Sequence, residues 1–203
     1  MAASETLTAE RILEVTEEVL RRHGPAKATV VDVARALGVS HGTVYRHFPT
    51  KAALREAVTK RWLDRTSEQL ARVVAEGGDP EAGVRDWLAV LFEAKRNKAC
   101  GDPELFATYS VLTDGTGRLV GDHIAELTGQ LTEIIRAGVG SGAFTVPDPA
   151  VAARAVFQAT GRFHDPAYAD EWQKPGVEAE FEAVVELLLR GLRGRPSAPV
   201  TSP

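Results

Sequence analysis

The sequence predicts an all-α fold, and three observations predict it. Apolar residues recur at helical spacing in nearly every segment of useful length, the strict alternation of a half-buried strand is absent, and the periodic segments are separated by residues that cap or stop helices. A first helix starts after Thr8 as its cap, buries Ile12, Val15, Thr16, Val19 and Leu20, and stops at His23-Gly24-Pro25. Thr29 caps a short second helix in which Val30, Val33, Ala34 and Leu37 fall at i, i+3, i+4 and i+7, ending at Gly38. Ser40 caps a third helix of about seven residues, ahead of Pro49, and Thr50 caps a fourth that runs without glycine or proline to about Glu76. Leu54, Val58, Trp62, Leu70 and Val73 or Val74 are its residues for burial.

After Gly77-Gly78-Asp79-Pro80 the units become larger and more amphipathic. The next helix carries Val84, Trp87, Leu88, Leu91 and Phe92 on one stripe. A shorter one spans residues 103–112, and a flexible linker covers 113–117. A long helix with Val120, Ile124, Leu127, Leu131, Ile134 and Ile135 is expected to break at the glycines of 138–142. Asp148 and Pro149 start an alanine-rich helix expected to reach about His164. The last helix, residues 177–193, bears Val177, Phe181, Val184, Val185, Leu188, Leu189 and Leu192, and residues 195–203 read as a disordered tail.

Composition narrows the function classes. The 203 residues are 44% hydrophobic and 26% charged, with no stretch near the ~20 apolar residues that cross a bilayer, so no membrane partner is expected. The opening MAASETLTAE has acid in place of a basic export signal, and the single cysteine, Cys100, builds neither a disulfide nor a thiolate cluster; a cytoplasmic location is expected. No Walker loop, Gly-x-Gly-x-x-Gly, nucleophile elbow or zinc-protease helix is present, so neither an enzyme nor a cofactor is expected. His123 and His164 lie outside any metal-ligand spacing, and no metal is assigned. The net charge of −4 hides an asymmetry: between positions 21 and 61, nine bases (Arg21, Arg22, Lys27, Arg35, Arg46, Lys51, Arg55, Lys60 and Arg61) face two acids, Asp32 and Glu56. A local +7 on a chain that is otherwise −11 suits contact with a polyanion on one face.

The segment TVVDVARALGVSHGTVYRHFPTKAALREAV, residues 29–58, carries that charge on two short helices flanking Gly38-Val39-Ser40, the geometry of a helix-turn-helix. Gly38 makes the turn, and Val39 joins Val33, Leu37 and Val44 in a shared core. On the third helix Val44 and Phe48 share one face and Gly42 and Arg46 the other, with Thr43 and Tyr45 to the sides, so the outward face is small and polar enough for a major groove.

At this point the sequence resembles the tetracycline-repressor (TetR) family of bacterial regulators. The resemblance rests on Thr29, Asp32-Val33-Ala34, Gly38-Val39-Ser40, Gly42-Thr43-Val44-Tyr45-Arg46-His47-Phe48, and Lys51 followed by Leu54. Pro49-Thr50 departs mildly from the family pattern and keeps the lysine. The resemblance implies a three-helix DNA-binding head, residues 1–50, and a helical effector-binding and dimerisation domain, residues 51–194. It also implies that Thr29, Thr43, Tyr45, His47 and Lys51 contact phosphates and that His41, Gly42 and Arg46 face bases, with Ser40 in the same DNA-contacting set. The family's last two helices pair in a four-helix bundle, here through Val151, Ala155, Ala159, Phe181, Val184, Val185, Leu188 and Leu189; the apolar stripe ending at Leu192 supports a two-fold interface independently. The expected partners are a palindromic or near-palindromic double-stranded operator, a second copy of the chain, and a small-molecule effector that releases the DNA. Trp62, Trp87, Phe92, Phe106, Tyr109, His123 and Phe157 are candidate walls of its pocket, the alternative for each being plain core. The fourth helix would transmit the change. A helical small-molecule-binding adaptor without DNA binding is the competing reading, and the basic island speaks against it.

Overall fold

Thr8 accepts a hydrogen bond from the Arg11 amide at 3.1 Å, and with that cap α1 (Ala9–Lys27) begins. The structure is a computed structural model that describes residues 7–114 and 117–194. Gly24 interrupts α1 with φ 70° and ψ 167°, where the sequence expects the stop, and one further turn follows. In α2 (Val30–Leu37), Thr29 and Asp32 form a reciprocal capping box and Gly38, at φ 69°, ends the helix. Ser40 caps α3 (His41–His47), and Thr50 accepts from the Ala53 amide at 3.0 Å at the head of α4 (Lys51–Glu76). Then come α5 (Pro80–Gly101), α6 (Pro103–Asp114), α7 (Gly117–Ser141), α8 (Pro149–Ala159) and α9 (Val177–Arg193), with 3-10 turns at Gly161–Phe163 and Pro166–Glu171. Among the described residues there is no strand, and no helix is long and apolar enough to cross a membrane.

Two elements end differently from expectation. The helix beginning at Pro149 stops at Ala159 rather than near His164: Thr160 leaves helical geometry at φ −93° and ψ 7°, and the chain tightens into the 3-10 turn at Gly161–Phe163. The seventh helix passes through Gly138 and Gly140 to Ser141 and ends at Gly142, φ 81°. Gly138 serves packing: a Cβ there would run into the ring of Phe144, itself buried. Gly138→Ala is therefore expected to cost about 1–3 kcal/mol, read as a lower denaturant midpoint at unchanged slope. The linker 113–117 falls partly, and the tail 195–203 wholly, outside the described residues.

The described residues form two compact units. The first takes residues up to 65 together with those from 97 to 123, and the second takes 66–96 and those from 124 onward. In the first unit Ile12, Val15, Leu20, Val33, Val44, Leu54, Val58 and Trp62 share one core with Leu105, Tyr109 and Leu112, so α6 belongs with the three head helices. Tyr109 stacks on Trp62 at 4.3 Å between ring centroids, and Glu17, nearly buried, accepts from Arg65 at 2.9 and 3.0 Å with Arg61 3.7 Å away. That buried carboxylate is compensated by two guanidinium groups, which fixes α1 against α4. In the second unit Leu70, Val84, Trp87, Leu88, Leu127, Leu131, Ile135, Val185 and Leu189 are buried. The Trp87 indole donates to Gln130, which in turn donates to the Ser67 carbonyl.

Candidate nucleic-acid interface

The geometry of α2 and α3 follows from a few local bonds. The Gly38 amide donates to the Arg35 carbonyl at 3.1 Å and the Val39 amide to Ala34 at 3.0 Å, turning the chain at once after α2. Ser40 then accepts from the Thr43 amide at 3.2 Å and restarts a helix. Val44 is fully buried and Phe48 half-buried, four residues apart on the inner face. His41, Gly42, Tyr45, Arg46 and His47 are exposed, Thr43 is half-buried, and Tyr45 keeps 40% of its surface open with the edge of His41 against it, 6.3 Å between centroids. Lys51 is exposed at the first turn of α4. The outward face expected from the sequence is therefore the outward face of the structure.

Thr29 and Ser40 cap their helices as the sequence expects, and the structure adds how Thr29 and the charges are bonded. The Thr29 hydroxyl donates to Asp32 at 2.6 Å and its backbone N–H donates to the same oxygen at 3.2 Å, so neither proton is offered outward. Those bonds, the hydroxyl first, hold the Asp32 carboxyl below its ordinary pKa. Of the basic island, Arg21 pairs with Asp102, Arg35 with Asp32, Lys60 with Asp64 and Arg61 with Glu10, while Arg55 donates to the Pro25 carbonyl. Arg22, Lys27, Arg46 and Lys51 are exposed, and Arg46 donates to the Thr43 hydroxyl at 3.3 Å. Phosphate attraction is thus concentrated on fewer groups than a residue count suggests. Lys51 and Arg55 also border an open groove of about 580 Å³ whose other walls include Val111 and Leu112.

This head and the helices behind it match two family models. Residues 12–58 match the model for bacterial regulatory proteins of the tetR family, and residues 80–185, just over half of the chain, match the tetracyclin repressor-like C-terminal domain. The chain belongs to the TetR family. An HTH-type regulator of Mycobacterium tuberculosis is 32% identical over 74 residues, 36% of this chain and 37% of that protein, so the chain matches it over little more than a third of its length. The HTH-type transcriptional repressor KstR2 of Rhodococcus jostii is 24% identical over 191 residues, 88% of this chain and 85% of the repressor. A TetR-family regulator structure from Mesorhizobium loti, 16% identical, superposes with a TM-score of 0.71 over 90% of this chain and 93% of that one, which shows a shared fold.

The residues expected at the effector pocket and the dimer interface fall in both units. Trp62, Phe106, Tyr109 and His123 lie in the first unit and Trp87, Phe92 and Phe157 in the second, and in the first Trp62 packs against both Phe106 and Tyr109. The Trp, Phe and Tyr residues among them sit at helical spacing, and that pattern marks burial without saying in which core. Trp62 carries the Lys98 ammonium 4.2 Å over its ring, and burial pushes the Tyr109 hydroxyl far up from its ordinary pKa. Phe92 meets Phe163 and Phe181 at 5.4 and 5.1 Å, and Phe157 packs on His164 at 4.3 Å. Of the expected dimer residues, Phe181, Val185 and Leu189 are consumed by the protomer's own core, at 4%, 0% and 1% exposure. Val151, Ala155 and Ala159 are exposed and Val184 and Leu188 half-exposed; Leu187, outside the expected set, is 69% exposed.

Proposed function

We propose that this chain is a homodimeric transcriptional regulator, a repressor, that binds a palindromic or near-palindromic operator through α3 and is released by a small-molecule effector. The observation that carries the reading is the division of α3: Val44 is locked into the head's core while His41, Gly42, Tyr45, Arg46 and His47 are turned outward beside Lys51. Short polar groups and a glycine on a helix rigidly backed by core are what a major groove admits. Tyr45, Thr43, His47 and Lys51 serve phosphates, and His41, Gly42 and Arg46 face bases. Thr29 and Ser40 act in this reading through the caps that set the two helix starts. Release requires an effector that prefers a form with misplaced heads, since equal affinity for both forms shifts nothing. The repressor sign is supported by the relation to KstR2 along most of the chain. For the dimer, Val151, Ala155 and Ala159 at i, i+4 and i+8 on α8 and Val184, Leu187 and Leu188 on α9 offer the outward stripes.

Fluorescence anisotropy on a labelled duplex from the gene's own upstream region tests the reading. Binding is expected to be at least about a thousandfold tighter than to scrambled duplex, to weaken with salt, and to fit one dimer on half-sites about 34–36 Å apart. Absence of binding to any duplex at low salt would leave the adaptor reading in its place.

A further inference from the structure

Arg55 stands half-buried on α4, one turn beyond Lys51, and the two side chains line the same groove. Both count among the bases of the head, and the structure gives them different surroundings. Lys51 is exposed. The Arg55 guanidinium is turned onto the backbone of the α1–α2 connection, where its Nη2 donates to the Pro25 carbonyl at 2.9 Å, 30 residues away along the chain.

That carbonyl is a product of the break in α1. Gly24, at φ 70°, interrupts the helix, and Pro25 opens the one turn that follows. The Ala28 amide closes that turn on the Gly24 carbonyl at 3.1 Å. The next amide, Thr29, is the one that would reach Pro25 along a continuing helix, and it donates instead to Asp32 Oδ2 at 3.2 Å, within the α2 capping box. Starting α2 therefore takes this donor away from Pro25, and Arg55 supplies one from α4. A charged donor on a half-buried carbonyl makes a strong bond, and a directional one.

The start of α4 is where a directional bond matters. Lys51, Ala52 and Ala53 are not buried, and the turn they form is capped by the bond from the Ala53 amide to the Thr50 hydroxyl. Leu54 and Val58, at 3% and 0% exposure, anchor the helix in the head's core. Apolar contact is non-directional, so it holds the helix to the core more firmly than it fixes the roll of the exposed turn ahead of Leu54. The bond from Arg55 to the start of α2 fixes that roll.

We infer that Arg55 is a positioning residue for DNA binding: its bond to Pro25 sets the roll of the α4 start and so places Lys51 against a phosphate, while Arg55 itself contacts no DNA. The inference rests on the operator-binding reading above. Losing Arg55 then costs the Lys51 contact and nothing more.

A double-variant cycle on the full chain tests it, by anisotropy on the gene's upstream duplex and on scrambled duplex over a salt series. Arg55→Met keeps the stem and removes donor and charge. It is expected to weaken binding to both duplexes by about tenfold, and Lys51→Gln by a similar factor, each lowering the salt slope by about 1. Arg55→Met made in Lys51→Gln protein is expected to cost less than about twofold and to leave the slope where Lys51→Gln put it. Losses that multiply, with a slope lowered by about 2 in the double variant, make Arg55 a phosphate contact and overturn the inference. Losses that multiply without that second fall in slope mean a damaged head and overturn it too, as does parental affinity in Arg55→Met. Hydrogen exchange at the Ala28 and Thr29 amides reads the bond without DNA: Arg55→Met is expected to speed it about tenfold, and unchanged exchange overturns the inference. A parent that binds no duplex at low salt defeats the operator reading and this use of Arg55 with it, whereas a parent that binds while the losses multiply defeats Arg55 alone.

Discussion

Lys51→Glu is expected to weaken DNA binding by about a hundredfold, on operator and random duplex alike, and to lower the slope of log affinity against log salt by about 1 for each phosphate no longer neutralised. Lys51 sits in the first turn of α4, where the helix dipole favours an acid and disfavours a base. A lysine there is the wrong charge for the helix and the right one for a phosphate. The same exchange should therefore leave the thermal midpoint equal or slightly raised, so weaker binding reports a phosphate without its cation rather than a damaged head. Anisotropy across a salt series and a thermal melt decide it. Parental affinity at every salt concentration would remove the start of α4 from the interface.

Lys95→Met is expected to stabilise the unliganded protein at pH 7, by on the order of 3 kcal/mol given a pKa that burial lowers from 10.5 to about 8. The sign follows from proton binding. Between about pH 8 and 10.5 the unfolded chain holds the Lys95 proton and the folded chain has released it, so the parent gains stability as pH rises through that window. The unfavourable contribution is full below about pH 8 and gone above about 10.5, and the advantage of methionine should fade over the same range. Methionine matches the length of the lysine stem and leaves no cavity. Urea unfolding of both proteins at pH 7 and near pH 10 measures it. A destabilised variant at pH 7 would mean that the ammonium holds the fold together in the resting state.

Local signals and their limits explain what could be read in advance. Helix starts at Thr8, Thr29, Ser40 and Asp148 were legible because a cap is a contact between residues two or three apart. The helix-turn-helix was legible for the same reason, since Gly38 and the spacing of Val33, Leu37, Val39 and Val44 decide it within a dozen residues. The end of α8 was not, because the switch to a 3-10 turn after Thr160 carries no cap or breaker signal and the apolar spacing runs on to Phe163. Gly138 looks like a helix breaker because the ring that requires it arrives six residues later along a folded-back chain.

By itself the sequence determined the helix types, the caps, the recognition helix and its outward residues, because these depend on spacing along one chain and on the chemistry of side chains a turn apart. Only the tertiary structure decided which apolar stripe meets which. It put α6 with the head, divided the aromatic residues between two cores, turned Phe181, Val185 and Leu189 inward, tied up much of the basic island in ion pairs, and left Lys95 with only 8% of its surface exposed. The physical reason is that a hydrophobic pattern records that a residue will leave water, and the strength of that tendency is nearly the same whichever partner covers it. The choice of partner, and the pairing of charges that follows from it, is settled by shape and distance among residues far apart in the chain.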